Sequence, residues 1–324
     1  VEVGPRGGRA QGSDQAAAEP GKPVHDRVEG PVELQPARHV RPAPSDPTEP
    51  HVEEGAREHD ARAQEELRCE TVPDVDRFPI DDVLPGDDLV RETHLVAFSL
   101  TMPYLEPYLI RTYRSIADDI TDPGLAADVK EFIGQEAQHF QNHRRINEII
   151  KAQLGAEVAA RLQAVEDELD ADYRRFNAEK SRRFNLAYAE GFEAMTCAMA
   201  LTSLDEATAG TSSIRPGKWG ELWMWHLAEE MEHRTVAFDV YEHLEGSYPY
   251  RVVGSLRAQL HFQRVVGRMQ RILLESQGAP AKRHLPPWIK AGRSRLLTTY
   301  TPGYNPGDID PGPIPAMILS QYAA

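Results

Sequence analysis

Apolar positions in the middle of the chain recur at three- and four-residue intervals, the rhythm of helices that bury one face. Short runs of turn-forming residues cut this rhythm into pieces: Asp122-Pro123-Gly124, Gly155 and the GTSSIRPG stretch at 210–217. The predicted core helices cover residues 101–118, 125–152, 182–205 and 219–244. Two further helices are predicted at 156–180, charged and flanking the bundle, and at 251–276, amphipathic and suited to covering it or to meeting a second copy. Strand signals are nearly absent and no solenoid repeat appears. The chain is therefore read as all-α.

The ends follow a different pattern. Residues 1–75 combine Pro, Gly, Glu, Arg and Ala without periodicity, a composition that cannot bury enough surface to offset its ordering entropy, and are read as a disordered tail. Residues 78–88 are a turn-rich approach, and the segment from Pro286 is an irregular wrap with Trp288, Tyr300 and Tyr304 to bury. The organisation expected is a tail at 1–75, a bundle at 76–250, and a covering helix with its wrap at 251–324.

What makes the bundle unusual is the content of its inward stripes. In the first core helix Glu106 sits among Met102, Leu109, Ile110 and Tyr113. The second places Glu136, His139 and His143 beside Val129, Phe132 and Phe140, and the third places Glu190 and Glu193 among Leu186, Ala189, Thr196, Cys197 and Ala200. The stripe of the fourth reads Trp219, Trp223, His226, Glu230, His233, Ala237 and Tyr241. An unpaired buried carboxylate costs several kcal/mol or gives up its charge, so such acids must be paired or bound to metal.

The spacing favours metal. Glu136-x-x-His139 and Glu230-x-x-His233 each set a carboxylate and an imidazole one turn apart on the same helix face, where one ion can meet both. Roughly one such tetrapeptide is expected by chance in a chain of this composition, but two on buried stripes are not. Together with one glutamate from each remaining helix, Glu106 and Glu193, they form the ligand set of ferritin-like dinuclear carboxylate proteins. A ferritin-like four-helix bundle with extra flanking helices is the fold expected. Glu193 is preferred to Glu190, one turn away. His226, four residues before Glu230, faces the same site and is a candidate third imidazole; His143 is at least as well read as an outer partner or a core histidine. Glu229 and Glu232 point aside and are read as outer partners of the ligands or surface groups. Carboxylate and imidazole without thiolate suit two iron ions, with manganese as the alternative, better than structural zinc.

Charge and cysteine content narrow the class. The chain has 51 acidic against 36 basic residues, a formal net charge of −15, which disfavours nucleic acid and anionic membranes as partners. Its two cysteines, Cys69 and Cys197, form no metal-type or disulfide cluster, and no apolar run is long enough to span a bilayer. A soluble cytoplasmic protein, with a homodimer contact as one option for residues 251–276, is expected.

The segments FSLTMPYLEPYLIRTYRSI, EFIGQEAQHFQNH, AEGFEAMT and WHLAEEMEHRTVAFDVYEHL resemble the bacterial family of predicted metal-dependent hydrolases, whose members look like ferritin-type bundles. The resemblance covers about residues 90–310. The arrangement of His226, Glu230 and His233 is also similar to that of di-iron arylamine N-oxygenases, in which an added histidine completes a seven-ligand set. That likeness implies Glu106, Glu136, His139, Glu193, His226, Glu230 and His233 as metal ligands. The first functional expectation is a di-iron oxygenase that activates O₂, draws on an electron donor and oxidises a small organic substrate beside Ala189, Thr196, Cys197 and Ala200. The alternatives are a dinuclear hydrolase using a metal-bound hydroxide, and a non-catalytic iron-binding bundle.

Overall fold

Asp122 and Pro123 start the longest helix among the described residues: the aspartate side chain accepts from the Leu125 amide at 2.9 Å, and proline occupies the first turn, where its missing N–H costs nothing. The computed structural model describes residues 83–84, 88–210, 214–282 and 284–322. The tail expected at 1–75 lies outside the described residues. Every regular element among the described residues is helical.

The helices are α1 (Leu89–Ser99), α2 (Met102–Arg114), α3 (Pro123–Leu154), α4 (Ala156–Glu179), α5 (Arg182–Thr208), α6 (Lys218–Glu232), α7 (Val236–Leu244), α8 (Tyr248–Ser276), α9 (Ile289–Thr298) and α10 (Ile314–Leu319). Gly155, at φ 87°, turns the chain between α3 and α4. Ser181 caps α5 by accepting from the Phe184 amide. The first core helix is shorter than the expected 101–118, giving way after Arg114 to a 3₁₀ turn at Ala117–Asp119. It runs on through Pro107, whose ring leaves the carbonyl of Pro103 without its helical donor.

Four walls close around one interior. Helix α2 packs on α3 and α5, while α6 and α7 together complete the ring by packing on both α3 and α5. This arrangement is compatible with a ferritin-like bundle. Helix α5 is the axis of the molecule: every residue from Asn185 to Leu204 is buried, as expected for a helix with neighbours on all sides. Helix α8 covers α5 and also meets α1 and α4.

Two elements differ from expectation. Helix α1 was not anticipated, because its buried face mixes Glu92, Thr93, His94 and Ser99 with Val96 and Phe98 and so lacks an apolar stripe. Helix α4, expected to be a solvated face, buries Leu162, Val165, Leu169, Tyr173 and Phe176 on one side; Tyr173 stacks on Tyr108 of α2 with ring centroids 4.8 Å apart.

The small residues of α5 serve close approach of helices. A Cβ placed on Gly191 would lie 2.2 Å from the Ser255 Cα, and one on Gly254 would lie 2.4 Å from the Ala187 Cβ. Backbone this close cannot yield to a methyl group without separating α5 from α8. Gly191→Ala is expected to destabilise the fold by about 1–3 kcal/mol, read as a lower denaturant midpoint at unchanged slope. An unchanged midpoint would show that the two helices part at no cost.

Candidate metal centre

Each wall of the bundle sends its acidic or imidazole side chain into the same volume. Glu106 comes from α2, Glu136 and His139 from α3, Glu193 from α5, and His226 and Glu230 from α6; His233 follows at the end of α6. All seven are buried, none more than 4 % exposed. Single ligand-type atoms of Glu136, His139, Glu230 and His233 lie within 4.8 Å of one another, and so do those of Glu106, His139 and His226. His139 belongs to both groups, which places them side by side. Glu193 joins through His233, whose Nδ1 is 4.0 Å from Glu193 Oε2 and whose Nε2 is 3.6 Å from Glu136 Oε1.

The polar atoms of this cluster are aimed at one another's space without satisfying one another. Both oxygens of Glu106, one oxygen each of Glu136, Glu193 and Glu230, His139 Nδ1, His226 Nε2 and both ring nitrogens of His233 are buried without a hydrogen-bond partner. Buried polar groups of a folded protein are otherwise almost always bonded, so a concentration of orphans on ligand-type atoms is the signature of a site for something other than protein.

Electrostatics agree. Burial pushes the carboxyls of Glu106, Glu136 and Glu193 well above the usual range, and neighbouring carboxylates push them further. Burial likewise lowers His139 well below its ordinary value and takes His233 down to about 4. Glu230 is the exception: burial opposes its charge, but the hydrogen-bonding and charge of His226 and the charges of His233 and His139 hold it down to about 2. Among the described residues no Lys or Arg forms an ion pair with any of the four glutamates; their only close basic neighbours are imidazoles. Four carboxylates therefore share an interior with no cationic side chain to balance them.

The surroundings orient these groups. Glu229, expected to be an outer partner of the ligands or a surface group, reaches His139 Nε2 at 2.8 Å. A carboxylate accepts, so Nε2 carries the ring proton and Nδ1 presents a lone pair toward the cluster, the arrangement seen where carboxylates back metal-bound histidines. Phe132 packs edge-on to His233 and Trp225 edge-on to His139, closing the walls with apolar surface. Glu190 does not join: Arg251 Nη1 donates to one of its oxygens at 2.8 Å and Ser255 Oγ to the other at 3.0 Å. His143 also stays outside the ligand atoms, hydrogen-bonded to His226 at 2.9 Å.

The fourth core helix, expected to run unbroken over 219–244, is instead two helices with His233 as the C-cap of α6 and the break at residues 233–235. Arg234 fixes the break. Its guanidinium donates to the Met231 carbonyl at 2.6 Å and, at 3.2 Å each, to the carbonyls of Pro306 and Ile309 in the C-terminal wrap.

A family model described as predicted metal-dependent hydrolase matches residues 80–310. The chain belongs to this family. No curated protein and no solved structure matches it. The matched span of the metal-dependent hydrolase family contains every residue of the buried cluster together with Arg234, Pro306 and Ile309 of the wrap, so the family assignment and the cluster concern the same part of the chain. Sequence reasoning missed two polar residues behind the cluster, Ser99 and Asn147. For Asn147 a signal existed: His139, His143 and Asn147 recur every four residues on one face of α3.

Proposed function

We propose that the chain is a hydrolytic enzyme with a dinuclear metal centre, its ligands being Glu106, Glu136, His139, Glu193, His226, Glu230 and His233. The observation that carries this reading is the charge of the interior. Four buried glutamates and three buried histidines have unpartnered ligand atoms, among the described residues no Lys or Arg pairs with those glutamates, and two divalent ions would neutralise four carboxylates. The family description supplies the reaction type. Bound metal would polarise a carbonyl or phosphoryl group and make water nucleophilic near neutral pH.

The chain's own residues would shape the rest. Glu229 holds His139 in the tautomer that offers Nδ1 inward. Phe132, Trp223 and Trp225 keep bulk water from the ligands, which strengthens every charge interaction there. In place of the small-residue face of α5, we assign the approach for substrate to a cleft of about 360 Å³ along α2, α3 and α4, whose wall includes Pro107 and Phe140, the chain neighbours of Glu106 and His139. Its rim carries Arg111, Arg144, Lys151 and Arg174 with Glu148, Glu166 and Asp170, a lining suited to a polar substrate.

One observation favours a second reading, O₂-dependent oxidation of a small organic molecule with iron in the site. The ligands sit among aromatic walls with no cationic side chain placed to hold a developing oxyanion, so a hydrolase must leave that task to the metals. The two readings separate in one experiment. Protein purified from cells supplemented with iron and with manganese is assayed for metal, then for hydrolysis of ester, amide and phosphoester substrates without oxygen, and for O₂ uptake after reduction. Hydrolysis is expected to proceed anaerobically with no O₂ uptake. Stoichiometric O₂ consumption by the ferrous form, with no hydrolysis, would replace the first reading by the second, and a chain that takes up no metal would remove both.

A further inference from the structure

The hydrogen bonds behind His226 leave one arrangement of protons. Asn147 Nδ2 donates to the backbone carbonyl of Ser99 at 2.8 Å, which turns Asn147 Oδ1 toward the Ser99 hydroxyl. An amide oxygen only accepts, so Ser99 Oγ–H donates to it at 2.6 Å. With its single proton committed, Ser99 Oγ must accept from His143 Nδ1–H at 2.8 Å. His143 is fully buried and, among the described residues, pairs with no carboxylate, so a second proton would leave an unpaired charge in the interior and the ring is neutral. Its Nε2 therefore accepts from His226 Nδ1–H at 2.9 Å. That leaves the His226 Nε2 facing the cluster, 3.0 Å from Glu230 Oε1.

We infer that Ser99, Asn147 and His143 are positioning residues that fix the tautomer of His226 and point its Nε2 lone pair into the metal centre. The inference rests on the two-metal reading above and deepens it: His226 is a direct ligand, and His143 acts through it. The relay begins on α1 with Ser99, passes to α3 through Asn147 and His143, and ends on α6 at His226. Its two fixed ends define it. The Asn147 amide cannot flip without placing its NH₂ group against the Ser99 hydroxyl proton and its oxygen against the Ser99 carbonyl. A proton moved to His143 Nε2 would face the Nδ1–H of His226. The other tautomer of His226 would aim N–H at the ion instead of a lone pair. Backing interactions of this kind are worth about 10–100-fold in metal affinity.

The test begins on the full chain stripped of metal, reloaded with Zn²⁺ and labelled with ¹⁵N-histidine, with His226→Gln and His143→Gln identifying the signals. In the loaded chain His226 and His143 are each expected to carry a proton on Nδ1 and none on Nε2; a proton on His226 Nε2 overturns the inference. The second arm compares Ser99→Ala with Ser99→Thr. The alanine variant removes the acceptor that holds the His143 proton on Nδ1, so affinity for one of the two ions, titrated with Co²⁺, should fall about 10–100-fold and the visible Co²⁺ spectrum should change. Threonine, which keeps the hydroxyl, should restore both. Weakened stability with unchanged Co²⁺ affinity and spectrum in Ser99→Ala would mean a packing role only and would overturn the inference. A native chain that binds no Co²⁺, Mn²⁺ or Fe²⁺ would overturn the two-metal reading and, with it, the ligand role assigned here, whereas metal binding with an unaffected Ser99→Ala variant would overturn the relay alone.

Discussion

Loading the chain with manganese or ferrous iron is expected to raise its unfolding temperature by about 10 °C over the metal-stripped form, the shift produced by about 4 kcal/mol of ligand binding in a domain of this size. The gap should widen as pH rises from about 6.5 to about 8.5. Glu106, Glu136 and Glu193 have folded pKa values raised above those of the unfolded chain by burial. Their protonated forms stabilise the metal-free fold fully below the unfolded carboxylate value, and that contribution is lost as pH rises toward the folded values. His139, His143 and His233, with lowered folded values, run the other way: they weaken the fold as pH falls below the unfolded histidine value of about 6.5 and contribute no slope above it. Above about pH 6.5 the imidazoles contribute no slope and the buried acids contribute only loss, so the empty site weakens the protein with rising pH until those acids are ionised. Two divalent ions replace those protons and remove the penalty. Thermal unfolding with metal and with chelator across this pH range checks both claims; identical, pH-independent transitions in the two forms would refute them.

Replacing Glu136 or Glu230 with alanine is expected to have opposite effects on function and on the empty fold. Each residue belongs to the four-residue group Glu136, His139, Glu230 and His233, so its loss should reduce bound metal from two ions per chain to at most one and lower turnover by about 10³-fold or more. The metal-free Glu136→Ala protein should nonetheless be as stable as the metal-free parent or more so, because the substitution removes a buried acid with an unpartnered oxygen and no cationic neighbour. Glu230→Ala should gain less, since Glu230 is the one carboxylate the histidines already hold ionised. Metal analysis and denaturant titration of stripped protein measure the two halves. Retention of both ions in either variant would exclude these residues as ligands, and a large loss of stability in stripped Glu136→Ala would identify it as a structural partner instead.

How much of this was legible in the sequence depended on whether the determining contact was local. Glu136 with His139, and Glu230 with His233, were readable because a three-residue spacing on a helix fixes their relative position whatever else the chain does. The choice of Glu193 over Glu190 was harder, since both lie on nearly the same face of α5. What distinguishes them in the structure is Arg251 and Ser255, some sixty residues later, whose hydrogen bonds account for both Glu190 oxygens while one Glu193 oxygen has no partner. Helix α1 stayed hidden because its buried polar side chains meet partners contributed by distant segments: Glu92 pairs with Arg215, and Ser99 with His143 and Asn147. The break at 233–235 left no trace either. The segment HRTVAFDV contains no Gly or Pro and keeps the helical period, and what bends the chain there is a pair of carbonyls more than seventy residues away.

That bend ties the inner site to the C-terminal wrap. His233 has helix on only one side, and the residue after it is held by Pro306 and Ile309. The PGYNPGDID stretch thus works as a latch on the inner site. A chain shortened just before it would still contain all seven inward-facing acids and imidazoles, but it would lose both the anchor beside His233 and α10, which packs on α6, the helix that carries His226 and Glu230.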